Sequence, residues 1–322
     1  MRAGPSRARH GPRGSIRSFR DPHRPHRIAL VTAVDVVIPA HPKDFPVLRH
    51  CVRSVLRYLE PLGRVHVVAA EPFPTKDPRV VWVPESSASS LPTSAQLRER
   101  WTQHGPAAAA RAGWMYQQVL KLGVPEYVAD ISAAYMLIDA DVIWVRPWRI
   151  MVDDRIRFPY TQAFEYHPPY RDAYFRLFGV QPQAPFSLTA HQMVYDRELL
   201  AQMKGAIEAR HGIKWWEAYI QAADPLEPSS ISELDTYGLW VLDNHPAAAS
   251  HRQLNYLNVP VVPGPFGRAV YARDFNFVAA HAWMRQPRWV RAAQIGGWLA
   301  RAALVDVKSA AASSAARARS RT

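Results

Sequence analysis

Asp139 and Asp141 stand one residue apart, directly after the apolar run Tyr135–Ile138 and directly before Val142–Val145. Two carboxylates held in contact at the mouth of a buried strand repel by about 4 kcal/mol at an effective dielectric of roughly 20. A cation is therefore expected beside them, and a hard divalent ion, Mn2+ or Mg2+, shared with the phosphate oxygens of a ligand meets that need. The bland alternative is a pair of solvated turn aspartates, one of them capping.

The elements around this pair alternate short apolar runs with helical periodicity, the pattern of an α/β protein. Val34–Ile38 is a strand by its β-branched content; Phe45, Leu48, Cys51, Val52, Val55 and Leu59 recur at helical spacing, and Val65–Ala70 is a second strand. Strand, helix, strand requires a crossover and a parallel pair. Val80–Val83 is a third strand, Pro106–Leu122 a helix, and Tyr135–Ile138 a central strand because it is continuously apolar. Ligands of open parallel sheets bind beyond the carboxyl ends of the strands. The polar residues after the first strand, His41, Lys43 and Asp44, therefore belong to the same search as Asp139 and Asp141.

Further along, Gln117, Gln118 and Lys121 lie within one helical turn, with either glutamine able to share a face with the lysine, a face that either meets a ligand or is merely solvated. His191 and Gln192 precede a strand-like "VYD" on an expected interior loop, where two hydrogen-bonding side chains could meet a polar ligand. Ser232 is placed to N-cap a helix whose first turn holds Glu233 and Asp235. These two are either an ordinary acidic helix start or a pair of carboxylates available for general-base work.

Hydrophobic residues make up 48% of the 322, and 11 Trp, 13 Tyr and 11 Phe exclude a disordered chain. The 28 Pro against 15 Gly favour many short elements. Cys51 is the single cysteine, which rules out an intrachain disulfide and fits a reducing, cytoplasmic setting. Of the formal charge of +13, residues 1–27 hold +7 and residues 308–322 hold +4, leaving +2 for the 280 residues between. The expected organisation is a basic tail over 1–27, one domain over 28–307 and a second basic tail over 308–322. A nearly neutral domain argues against a nucleic-acid partner. No segment reaches the length of a membrane span; Trp289–Val307, broken by Arg291, Arg301 and Asp306, is an amphipathic helix candidate for peripheral membrane contact.

Taken with "VDVVIPAHPKDFPVLRHCVRSV", "GWMYQQVLKL", "YMLIDADVIWVRPW", "SLTAHQMVYDRELL", "SELDTYGLWV" and "FVAAHAW", the chain resembles the GT-A glycosyltransferases, and among them a bacterial family of uncharacterised nucleotide-diphospho-sugar transferases. The resemblance spans most of residues 34–283. It implies a GT-A-like, Rossmann-like fold: a mixed, mostly parallel sheet with helices on both faces. It also implies a nucleoside-diphosphate sugar as donor, a carbohydrate or glycolipid acceptor, and Mn2+ or Mg2+ on Asp139, Asp141 and His281. Pro39, His41 and Asp44 would then lie under the nucleotide, Gln117, Gln118 and Lys121 beside the sugar, and Glu233, more than Asp235, on the acceptor side. His281 also reads as a locally satisfied strand-end histidine. Whether such an enzyme inverts or retains configuration stays open.

Two other classes accommodate the acidic pair. A haloacid-dehalogenase-like phosphatase places DxDx[TV] after a strand, but here the fifth position is Ile143 and no GDxxxD follows. A non-catalytic sugar or nucleotide binder on the same fold is the other alternative, and measuring turnover separately from binding distinguishes it.

Overall fold

The computed structural model describes residues 33–153, 156–281 and 284. The tails 1–27 and 308–322 and the segment Trp289–Val307 lie outside the described residues.

The first strand, β1 (Val34–Pro39), is buried along its whole length. A single 3-10 turn, Pro42–Asp44, leads into α1 (Phe45–Tyr58), whose Leu48, Cys51, Val52 and Val55 form one buried face at three-to-four spacing. After the short β2 (Leu59–Glu60) come β3 (Leu62–Ala69) and β4 (Val80–Pro84), and β1, β3 and β4 pair in parallel. The helix α2 (Ser94–Thr102) opens on a Thr93–Gln96 capping box and packs on α3 (Pro106–Tyr127), which delivers the chain to β5 (Ala134–Ile138), parallel to β1. Helix α3 runs five residues past its expected end at Leu122 and carries Pro125 in its last turn.

From β5 the chain passes into β6 (Val142–Trp144), β7 (Trp148–Arg149) and β8 (Phe158–Tyr160), then α4 (Pro168–Phe178). It returns as β9 (Gln192–Asp196), antiparallel to β5, so the main sheet has the order β4-β3-β1-β5-β9. The helices α5 (Arg197–His211), α6 (Trp215–Ala222) and α7 (Glu233–Asn244) follow. The chain continues through β10 (Ala249–His251), β11 (Tyr256–Val259), α8 (Pro265–Tyr271) and β12 (Phe277–Ala280). A second, small sheet has the order β11-β12-β6.

Strand alternation splits the core in two. Val36, Ile38, Val67 and Met136 face α1 together with Trp144 and Phe277 of the small sheet. Val37, Val68, Tyr135 and Leu137 face the other way, toward α3, α5 and α7. Each such fully buried aliphatic or aromatic side chain contributes about 1.5–3 kcal/mol. The expected class holds: a mixed, mostly parallel α/β sheet with helices on both faces. Asp35, the one acid inside β1, lies toward the amino end of the strand, where its carboxylate accepts from the Arg64 and Ser132 backbone N–H groups at 2.7 and 2.9 Å. Among the described residues no helix is long and apolar enough to cross a membrane.

Candidate functional site

Asp139-Ala140-Asp141 is the link between the two sheets, since the chain leaves the main sheet at Ile138 and enters the small one at Val142. Strand register then decides what stands beside each carboxylate. Ile138 pairs with Gln192, so His191 lies against Asp139; its backbone carbonyl accepts from the Asp139 N–H at 3.0 Å, and its Nδ1 sits 3.4 Å from Asp139 Oδ2. Ala279 pairs with Val142, and the Ala280 N–H donates to the Asp141 carbonyl at 2.9 Å. His281 follows, with Nδ1 2.8 Å from Asp141 Oδ2. The two imidazoles meet at 4.9 Å between centroids, and Asn258 Oδ1 lies 3.1 Å from His191 Nε2. His191 is held at φ 58°, left-handed backbone that a non-glycine residue adopts at a cost of order 1–3 kcal/mol.

The cation that the acidic pair demands is supplied in part by the chain itself. Lys121, on α3, is only 7% exposed, and its Nζ donates to Asp139 Oδ1 and to Glu233 Oε1, both at 2.7 Å. Glu233 is 2% exposed and sits at the first turn of α7, where the Ser232 hydroxyl caps the helix by accepting from the Asp235 N–H at 3.3 Å. Gln118, one turn before Lys121, accepts from the Glu233 N–H at 3.1 Å. Burial pushes the Lys121 ammonium toward neutrality, but the Asp139 and Glu233 charges outweigh it and hold its pKa above the usual lysine range. For Asp139 burial likewise opposes the charge, and Lys121 and His191 outweigh it, holding the carboxyl well below the usual range. Burial lowers His191, and its bond to Asp139 more than offsets this, so its pKa rises.

The other sequence candidates are distributed unevenly around this centre. Pro39 ends β1, beside β5, so the Pro39–Asp44 segment and Asp139 share the carboxyl end of the sheet. His41 is exposed and its Nδ1 accepts from the Lys43 N–H at 3.2 Å; Asp44 stands at the N-cap position of α1 without a side-chain capping bond. Gln117 is half-buried on α3. Gln118 and Lys121 bond Glu233 from inside the protein and do not stand on a solvated helix face. Gln192 does not lie on a loop: it is buried as the first residue of β9, because the antiparallel ladder extends to Ile138. Asp235 turns away from the centre. Its carboxylate accepts from the Leu188 N–H at 2.5 Å and from the Ser187 hydroxyl at 3.0 and 3.1 Å, which fixes the segment leading to His191. Burial raises the Asp235 carboxyl to about 6.

Cys51, Tyr256 and Asn258 were not legible as site residues. Cys51 reaches the Asp139 carbonyl with Sγ at 3.8 Å, and the Tyr256 ring meets His191 edge-on at 5.4 Å. An isolated cysteine on an apolar helix face and two residues of a short strand give no pattern from which this could be read.

Asp139 and Glu233 share the Lys121 ammonium, and Asp141 is met by His281 instead. Carboxylate oxygens are the donors that suit Mn2+ or Mg2+. Among the described residues, no three His, Cys, Asp or Glu side chains are grouped so as to hold a metal ion. The imidazoles here hydrogen-bond the carboxylates instead.

Fold and site together define a mixed α/β protein with an acidic, histidine-flanked mouth at the carboxyl end of its sheet. The chain belongs to DUF6492, a family of unknown function that matches it over residues 65–247. Asp139, Asp141, Lys121 and Glu233 fall inside that stretch; Pro39–Asp44 and His281 fall outside it. No curated protein matches the chain. Among solved structures it is similar to the galactosyltransferase LgtC in complex with donor and acceptor sugar analogues, at 12% identity and a TM-score of 0.40, covering 77% of this chain and 87% of that one. At that distance no residue role passes from one protein to the other.

Proposed function

We propose that the chain is a glycosyltransferase of GT-A type that takes a sugar from a nucleoside-diphosphate donor to a carbohydrate or glycolipid acceptor. The observation that carries this reading is the Asp139–Lys121–Glu233 bridge beneath an Asp139/Asp141 mouth at the carboxyl end of a parallel sheet. A divalent metal carried on Asp139 and Asp141, with His281 released from its bond to Asp141, would supply charge to the leaving diphosphate. Lys121 fixes Asp139 Oδ1 and His191 stands against Oδ2, while Ser187 and Leu188, anchored by Asp235, set the backbone that presents His191. Glu233 is enclosed, so we assign it to positioning Lys121 and, through it, Asp139. The acceptor-side base expected from sequence needs a group within hydrogen-bond reach of the acceptor proton.

Calorimetric titration of UDP and GDP, with Mn2+ and then with EDTA, tests the reading on wild type and on Asp139→Asn/Asp141→Asn. Binding that requires Mn2+ in wild type and loses the requirement in the variant is expected. Equal, metal-independent binding in both proteins overturns it, and Asp139-dependent phosphate release from an aryl phosphate would replace it with the phosphatase class.

A further inference from the structure

The +2 balance of the chain between its tails conceals an uneven distribution. Arg49, Arg53 and Arg57 recur every four residues on the exposed side of α1, a row of about 12 Å at 1.5 Å per residue. With Lys76 they rim a depression of about 420 Å3 floored by Val52, Leu56 and Phe73. Among the described residues no carboxylate pairs with any of these four cations; Asp77, on the same rim, is taken by Arg79 at 2.9 and 3.1 Å. Val47 of α1 and Tyr271 of α8 both pack against Ile143, Val259, Val278 and Ala280 of the small sheet, and Arg268 of α8 reaches α1, its Nη2 2.9 Å from His50 Nδ1. Burial and the charge of neighbouring Arg53 lower the Arg268 pKa, so these cations crowd one face. Two residues before Arg268, Phe266 stands 73% exposed.

We propose that this face, the α1 arginine row with the Phe266 tip of α8, docks on an anionic lipid surface. A soluble polyanion would use the cations alone, whereas an exposed aromatic ring at the amino end of α8, two residues from Arg268, suits a headgroup layer into which the ring inserts. Because α1 begins where the Pro39–Asp44 segment ends, a bilayer on this face lies beside the mouth of the candidate site. The inference needs nothing from the chemistry at Asp139.

The test is co-sedimentation of the full chain with phosphatidylcholine vesicles, with and without phosphatidylglycerol. Each cation near an anionic leaflet strengthens partitioning roughly fivefold, so Arg49→Gln/Arg53→Gln/Arg57→Gln should weaken binding to the anionic vesicles about a hundredfold, and Arg53→Gln alone about fivefold. A matched loss of charge elsewhere, Arg98→Gln/Arg210→Gln/Lys214→Gln, should cost far less. Phe266→Ser should weaken vesicle binding without changing retention on heparin. Absence of wild-type binding to anionic vesicles, or equal loss in the two triple variants at unchanged melting temperature, overturns the proposal. So does indifference of vesicle binding to Phe266→Ser, which would identify the face as a site for a soluble polyanion.

Discussion

Replacing Lys121 by Met keeps the length of the side chain and removes the only charge placed between Asp139 and Glu233. The two carboxylates differ in what they can do without it. Asp139 keeps 30% of its side chain exposed and faces His191, so water and imidazole compensate for the lost ammonium; the Glu233 side chain, 3% exposed, has no such recourse. Removing one partner of a buried ion pair costs about 3–5 kcal/mol because the other charge is left uncompensated. For a domain of this size that corresponds to a fall in melting temperature of roughly 6–20 °C. Adding Glu233→Gln to Lys121→Met takes away the stranded charge, and should restore about 2 kcal/mol or more relative to the sum of the single variants. Urea unfolding of the four proteins of this cycle at neutral pH measures the coupling. A Lys121→Met cost below about 1 kcal/mol, or strictly additive variants, would refute the argument that the bridge is held by charge in a water-poor interior.

Two further outcomes follow from the loop that presents His191. The Asp235 carboxyl has a folded pKa raised from 3.8 to about 6, so the folded state favours its protonated form and loses stability as pH rises through that window. The melting temperature of wild type should therefore fall relative to Asp235→Asn between those pH values and run parallel to it above; a difference of opposite sign would count against the burial argument. On α7, a Cβ at Gly238 would run into the Leu188 side chain and crowd Met193 and Phe158. Gly238→Ala should thus cost about 1–3 kcal/mol by overpacking in a thermal melt, and a neutral result would show that Leu188 yields freely.

Local pattern carried much of this protein. The β-branched content of Val34–Ile38, the helical spacing from Phe45 to Leu59 and the Ser232 cap are properties of neighbouring residues, and each became the element it announced, except that Leu59 opens β2 just past the helix end at Tyr58. The same holds for Asp139 and Asp141, because a polar pair after an apolar strand lies at the strand's mouth whatever the rest of the chain does. Local pattern also overreached: Gln192 looked like a loop residue because its strand begins only where the antiparallel ladder with β5 begins.

The tertiary structure decided who meets whom. Lys121 and Glu233 are separated by 112 positions, and nothing in either segment's periodicity says that α3 and α7 bring them within 2.7 Å. Register placed His191 and His281 against the two aspartates, and a slip of one residue in either ladder would have turned them away. The arginine row was present in the sequence at four-residue intervals, which put the three on one side of a helix, and the packing of the opposite face of α1 against the sheet turned that side outward. Hydrophobic periodicity says that a face is buried or exposed, while the partner on that face is set by chain closure across the whole domain, so the sequence alone yields the mouth of the site and only the fold yields its charge network.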